Sequence, residues 1–176
     1  SKAQETALHL GLDSSAGMLN IDAANSCEIA CLTVPFAHQE STLLSIEDGL
    51  ANKIMIDATV PLMPPKVMRV QLPKIGSAAL NAQAILGENT TVVSAFQNIS
   101  AELLQTDTDI DCDVLVAGDL IDARNTVIEL AADAGLTGWH AGPLCNSVAA
   151  EALTSILIAI NKKHSLAHSG IKITGH

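Results

Sequence analysis

Short apolar runs alternate with helix-type segments along most of this chain, and that alternation limits the possible folds more than any other feature. Residues 28–34 and 53–59 are two such runs. Because both of their faces are apolar, they are typical of strands buried on both sides of a parallel sheet. We therefore predict an α/β fold. The predicted strands are residues 17–20, 28–34, 53–59, 90–96, 112–117 and 136–140; the main predicted helices are 1–10, 37–50, 76–86, 120–134 and 146–164.

The composition argues against nucleic acid as a partner. The net charge is −10, aromatic residues make up 2% of the chain and Tyr is absent, so both cations and base-stacking rings are scarce.

The longest uninterrupted apolar stretch, residues 152–160, is about half the length that spans a bilayer. We expect it to form a buried helix or a subunit contact rather than a membrane anchor. The four cysteines form no Cys-x-x-Cys pair, which favours free thiols in a reducing cytoplasm.

Three other chemistries are weak hypotheses. The acidic run from Asp107 to Asp113 resembles the start of a calcium loop, but Cys112 and Gly118 stand where that loop needs Gly and Glu. His164 and His168 would share one face of a continuous helix, although the Glu expected after the first His is absent. No Gly-x-Ser-x-Gly elbow supports a hydrolase. We therefore expect no metal site and no nucleophilic catalysis.

Two predicted strand ends carry more information. In open α/β sheets, ligands bind outside the carboxyl ends of the strands. Here those ends are residues 33–38, Thr-Val-Pro-Phe-Ala-His, and 94–101, Ser-Ala-Phe-Gln-Asn-Ile-Ser-Ala. Both are apolar with a few polar groups, which suits a flat heteroaromatic ring, but ordinary strand-to-helix turns have the same composition. A third segment, 141–147, has the Gly-Pro turn and Asn or Ser cap that begin a helix.

Taken together, these segments resemble the NADPH-dependent reductases of coenzyme F-420, an 8-hydroxy-5-deazaflavin. The resemblance is most specific in residues 141–154, Ala-Gly-Pro-Leu-Cys-Asn-Ser-Val-Ala-Ala-Glu-Ala-Leu-Thr, and in the tail 169–173, Ser-Gly-Ile-Lys-Ile. Residues 32–38, 92–101 and 113–119 also fit. The resemblance implies a Rossmann-like, doubly wound parallel sheet with a C-terminal helical segment. It divides the chain into a partial NADP-binding domain, 1–142, and a C-terminal helix and tail, 143–176.

The resemblance also implies the cofactors and the residues that contact them. NADP and coenzyme F-420 would exchange a hydride while the protein holds their rings face to face, with no catalytic acid, base or nucleophile. Thr33, Val34, Pro35 and His38 would flank the nicotinamide half of NADP. Asn98, Ile99 and Ala101 would lie between the rings, and Pro61, Ile158 and Leu166 would line the deazaflavin pocket. The family pattern often has Trp where Phe36 stands and Pro where Ser100 stands. The apolar final helix implies a homodimer.

The family begins with a strand, a Gly-x-Gly-x-x-Gly-type loop, a helix and a second strand, and this sequence contains no such motif. We therefore expect about one βαβ unit, roughly 40 residues, to be absent, and the sheet to lack its first unit. Residues 27–33 would then form an open edge strand, and the chain alone would bind NADP poorly. Two alternatives stay open: another reductase of the same dinucleotide-binding superfamily, such as a ferric or imine reductase, and a non-catalytic Rossmann-like binding module.

Overall fold

Six helices and five strands follow one another in a computed structural model that describes residues 1–106 and 108–175. The strands are β1 (Ile29–Leu32), β2 (Ile54–Asp57), β3 (Thr91–Ser94), β4 (Asp113–Gly118) and β5 (Thr137–Gly142). The helices are α1 (Lys2–His9), α2 (Asn20–Ser26), α3 (Gln39–Ile46), α4 (Ala78–Leu86), α5 (Ile121–Asp133) and α6 (Ser147–His164). Short 3₁₀ turns lie between them, including Phe36–His38, Leu103–Gln105 and Leu144–Asn146.

One five-stranded sheet forms the centre of the fold, in the order β1-β2-β3-β4-β5. Strands β1, β2 and β3 are parallel, and so are β4 and β5, but β3 and β4 are antiparallel. The α/β fold predicted from the sequence is confirmed, while the sheet is mixed rather than wholly parallel. A parallel neighbour needs a long crossover, usually a helix. Within 95–106 and 108–112 only one 3₁₀ turn is present, and the chain returns in the opposite direction.

Apolar side chains fill both faces of the sheet. Neighbouring residues in a strand point to opposite faces, so Met55 packs in the layer with α3 and α4 whereas Ile56 packs in the layer with α5. Val92 and Val93 divide in the same way. This arrangement explains why the central strands β2 and β3 consist largely of apolar residues.

The predicted helix 1–10 is present as α1, but the strand predicted at residues 17–20 is not formed. Residues 17–20 form no strand: Gly17 ends a 3₁₀ turn and Asn20 begins α2. Gly17 lies so close to α1 that a Cβ atom there would come within 2.3 Å of the Ala3 carbonyl carbon, so this segment packs on α1 instead of joining the sheet. Helix α1 has a complete cap, because Ser1 and Gln4 form a capping box. Strand β1 is an edge strand of the sheet, as predicted.

Helix α6 is longer than the apolar stretch that predicted it. By length and composition alone, the helical segment Leu144–His164 could cross a membrane. In the structure, however, the polar residues Ser147, Glu151 and Ser155 of α6 are buried against the rest of the fold. This helix therefore packs as part of the domain.

Candidate functional site

The carboxyl ends of β1, β2 and β3 meet at a cavity of about 620 Å³. Thr33 follows β1, Ala58 follows β2 and Phe96 follows β3, and all three line the cavity. Its walls are mostly apolar and are completed by the C-terminal end of α5. The remaining lining residues are Cys31, Gln97, Ile99, Ala101, Leu104, Leu130, Asp133 and Ala134. A volume of this size is within the range of pockets that enclose small ligands.

A second cavity, of about 180 Å³, lies between the loop after β3 and the C-terminal half of α6. It is more polar than the first. Its walls are Gln97, Asn98, Ile99, Ser100, Thr154, Leu157, Ile158, Asn161, His168 and Ser169. Ile99 and Gln97 line both cavities, so these two side chains stand at the boundary between them.

Hydrogen bonds hold the loop after β3 to the sheet on one side and to α6 on the other. Phe96 has φ of +71°, a left-handed conformation that is uncommon for a non-glycine residue. The Gln97 amide donates to Asp57 O at 2.8 Å and to Ser94 Oγ at 2.7 Å. Thr154 of α6 donates to Gln97 O at 2.9 Å. The positions of the loop and of α6 are therefore coupled.

Hydrogen bonds also connect the N-terminal part of α6 to the start of α4. The Glu151 carboxylate accepts hydrogen bonds from the backbone N–H groups of Ala78 (2.6 Å) and Ala79 (3.1 Å). Ser147 donates to Ser77 Oγ at 2.7 Å. Burial raises the pKa of Glu151 to about 7, because desolvation outweighs these hydrogen bonds.

A second buried carboxyl, Asp57, ends β2. Gln39 Nε2 donates to it at 2.6 Å and the Thr59 N–H at 2.8 Å. Burial raises the pKa of Asp57 to about 6, against the opposing effect of both partners. The negative charge of Asp57 in turn raises the pKa of Glu151 further. Hydrogen bonds to these two carboxyls link the sheet to α3 and link α4 to α6, and neither carboxyl lines a cavity.

The C-terminal tail closes the smaller cavity. His168 Nδ1 lies 2.9 Å from Ser100 Oγ, and the Ser169 N–H donates to Asn161 Oδ1 at 3.0 Å. Farther along, the Ile173 N–H donates to Asp113 Oδ2 at 2.8 Å. That backbone hydrogen bond, with those from Trp139 and Lys172, lowers the pKa of Asp113. An ionised Asp113 therefore anchors the tail to the start of β4.

Comparison with known proteins shows the family to which this chain belongs. This chain is 40% identical, over an alignment of 184 positions, to the F420-dependent NADP reductase of Methanothermobacter thermautotrophicus. The alignment covers 99% of this chain and 79% of that protein. The corresponding protein of Methanocaldococcus jannaschii is 35% identical, over 98% of this chain and 80% of its own length. The chain belongs to the F420-dependent NADP reductase family. No protein-family model matches it.

The fold agrees with that family assignment. A crystal structure provisionally assigned as an F420-dependent NADP reductase, from Arthrobacter sp. FB24, superposes with a TM-score of 0.80. The superposition covers 90% of this chain and 74% of that one, at 22% identity, and so shows the same Rossmann-like fold. The family resemblance read from the sequence is confirmed.

The residues that the resemblance assigned to the cofactors fall into two groups. Thr33, Asn98, Ile99, Ala101 and Ile158 line one or both cavities. The other five line neither cavity. Val34 lies in a separate groove along the open edge of β1, and Pro35 precedes the turn Phe36–His38. His38 and Leu166 are exposed, whereas Pro61 is buried.

The two metal hypotheses find no support in the described part of the chain. No group of three potential metal ligands occurs there. Asp111 and Asp113 bind Lys172 at 2.8 and 3.2 Å, while Asp107 lies outside the described residues. The histidine pair does not share a helix face, because α6 ends at His164 and Ser165 takes a left-handed conformation.

Several cavity residues were not assigned to a cofactor from the sequence, among them Gln97 and His168. Gln97 belongs to the strand-end segment 94–101, but nothing in the sequence shows which side chains of such a segment face a ligand. His168 was considered only as half of a metal-binding pair. His168 reaches the cavity only because the tail folds back over α6. No local pattern predicts such a return.

Proposed function

We propose that this protein transfers a hydride between NADP(H) and the deazaflavin coenzyme F-420. The observation that carries the proposal is the position of Ile99, which lines both cavities at the carboxyl ends of the strands, so the two cavities adjoin. Direct hydride transfer needs the two reacting carbons within about 3.5 Å of each other, so the two ring sites must adjoin with no side chain between the rings. This arrangement provides two adjoining cavities, and it does so in a chain whose relatives are F420-dependent NADP reductases.

The nicotinamide occupies the larger, apolar cavity beside Thr33 and Ala101, and the deazaflavin enters the smaller cavity beside Asn98 and Ile158. In the reductive direction, a C–H bond of NADPH breaks and a new C–H bond forms on the deazaflavin ring. The nicotinamide loses two electrons, and the deazaflavin gains the hydride and takes one proton from solvent. The protein binds, orients and excludes water, so no side chain acts as a catalytic acid or nucleophile.

A larger side chain at Ala101 tests the proposed position of the nicotinamide ring. The short side chain of Ala101 lines the larger cavity, and leucine there would hold the nicotinamide away from its partner. A displacement of about 1 Å can cost about a hundredfold in rate. We expect Ala101→Leu to lower kcat/KM for NADPH-dependent deazaflavin reduction at least about tenfold. Ala132→Leu, on the exposed face of α5, is the matched control. Equal kcat/KM values for both variants would contradict the proposed arrangement.

We also propose that the protein is a cytoplasmic homodimer. Exposed apolar side chains lie on the segment 60–75 and on α6. Ser155 of α6 donates a hydrogen bond to Arg69 O at 3.5 Å and so links the two elements. The exposed apolar side chains are Met63, Met68, Val70, Leu72, Ile75 and Ile156. Several exposed apolar side chains on two linked segments favour a protein partner. Light scattering coupled to gel filtration should give twice the chain mass of 18.3 kDa, and the mass of a single chain would contradict the dimer.

A further inference from the structure

One wall of the larger cavity is the C-terminal end of a helix, and that end carries a negative charge. Helix α5 ends at Asp133, and Leu130, Asp133 and Ala134 line the cavity. The unpaired backbone carbonyls at the end of a helix carry a partial negative charge. The Asp133 carboxylate adds a full negative charge at the same place, where a basic side chain would suit the helix better. This wall of the cavity is therefore electronegative.

No cation in the described part of the chain offsets this charge. None of the residues that line the larger cavity is Lys, Arg or His. The last turn of α5 has no basic residue, and Asp133 forms no salt bridge with another described residue. The charge of Asp133 is unfavourable for its own helix, and a positively charged ligand in the cavity would offset it.

An aromatic ring lines the same cavity. Phe96 is one of two Phe residues in a chain that has one Trp and no Tyr, and no other aromatic residue lines this cavity. Its φ of +71° is a strained conformation for a bulky side chain, and such strain is found more often at ligand sites than elsewhere. The face of an aromatic ring attracts cations. Phe96 and Asp133 therefore both favour a ligand with a positive charge.

The nicotinamide ring changes its charge in the proposed reaction. The oxidised ring of NADP is positively charged and the reduced ring is neutral, whereas the phosphates are the same in both forms. We propose that the larger cavity binds the oxidised nicotinamide more tightly than the reduced one, and that Asp133 determines this preference. The assignment rests on the proposed function. A tenfold preference lowers the reduction potential of the bound nicotinamide by about 30 mV, so bound NADPH becomes a stronger hydride donor.

Nicotinamide mononucleotide isolates the effect of the ring charge, because its oxidised and reduced forms have the same ribose phosphate. The full chain is labelled with para-fluorophenylalanine and titrated with each form. Fluorine NMR then gives one resonance for Phe96 and one for Phe36, which lines neither cavity, and a Phe36→Leu variant assigns them. We expect the Phe96 resonance to shift, with the oxidised form binding at least about threefold more tightly at low salt. Equal binding of the two forms, or tighter binding of the reduced form, overturns the proposal.

A pair of charge variants tests the role of Asp133. Asp133→Asn should remove most of the preference for the oxidised form without lowering the temperature of unfolding. Glu129→Gln, which neutralises an exposed carboxylate of the same helix outside the cavity, should keep the preference. Added salt should reduce the preference of the unmodified protein, because it screens an exposed charge. A preference that is the same in Asp133→Asn as in Glu129→Gln overturns the role of Asp133.

An activity measurement separates this proposal from the proposed function. If neither form of the nucleotide shifts the Phe96 resonance although NADPH reduces the deazaflavin, the proposed preference of this cavity is overturned and the function stands. If NADPH does not reduce the deazaflavin, the proposed function fails, and the preference for the oxidised ring fails with it.

Discussion

Replacing Glu151 with glutamine changes the charge at a junction on which the candidate site depends. The carboxylate is 1% exposed and accepts two backbone N–H groups at the start of α4, so it fastens α6 to the rest of the fold. Glutamine has the same shape and keeps one acceptor oxygen. It resembles the protonated form of Glu151 and cannot ionise.

The sign of the effect follows from the pKa of Glu151. Burial raises it from 4.5 to about 7, so the folded protein binds a proton more tightly than the unfolded chain. The stability gained from that proton is fully present below pH 4.5 and is lost as the pH rises through about 7. Since one pKa unit corresponds to about 1.4 kcal/mol, the loss is about 3 kcal/mol. Glu151→Gln removes this dependence, so the variant should gain stability relative to the unmodified protein as the pH rises from 5 to 8.

Urea unfolding at pH 5, 6, 7 and 8, monitored by far-UV circular dichroism, measures the difference in unfolding free energy between Glu151→Gln and the unmodified protein. Asp57 is present in both proteins, so its own titration largely cancels. The exposed Glu129 on α5 provides the control, and Glu129→Gln should follow the unmodified protein at every pH. Unfolding free energies of Glu151→Gln that run parallel to those of the unmodified protein across this range would refute the reasoning.

Three further substitutions probe the tail and the end of α6. Gly170→Ala should destabilise the fold by about 1–3 kcal/mol in urea unfolding, because its Cβ would lie 2.4 Å from Cys112 Sγ; Gly175→Ala, with open space around it, should have no effect. Asp113→Asn should release the tail at neutral pH, seen as faster amide exchange at Ile173. The lowered pKa of Asp113 means that its anchoring is present above about pH 4 and is lost as the pH falls further. Ser165→Gly should stabilise the protein by about 0.5–1 kcal/mol in thermal unfolding, because Ser165 has φ of +55° at the end of α6. An unchanged exchange rate for Asp113→Asn, or a lower stability for Ser165→Gly, would contradict the respective argument.

Much of the fold could be predicted from the sequence, because the three central strands β2, β3 and β4 are buried on both faces. Met55–Ile56 and Val92–Val93 serve opposite layers, so the strands read as continuous apolar runs. The antiparallel step between β3 and β4 could not be predicted from hydrophobicity, since strand direction depends on the connection. The strand predicted at residues 17–20 is wrong, because Gly17 packs directly on the backbone of α1.

The candidate site was less predictable. Ile99, which the resemblance assigned to the space between the rings, lines both cavities, and its contact with the cofactors stays a prediction. Glu151 and Asp113 bind backbone N–H groups that lie 73 and 60 positions away in the sequence, respectively. A carboxylate that binds a distant helix or tail has no local pattern, so its partner becomes known only from the folded structure.

Isotope transfer tests the central claim most directly. Because we expect the chain alone to bind NADP weakly, the protein is mixed with deazaflavin and a large excess of NADPH that carries deuterium at one face of the reactive nicotinamide carbon. The reduced deazaflavin is then analysed by mass spectrometry. Direct transfer between rings held in adjoining cavities predicts that deuterium from one of the two labelled forms, and only one, appears on the deazaflavin carbon. Reduction without label from either form, or no reduction at all, would contradict the account.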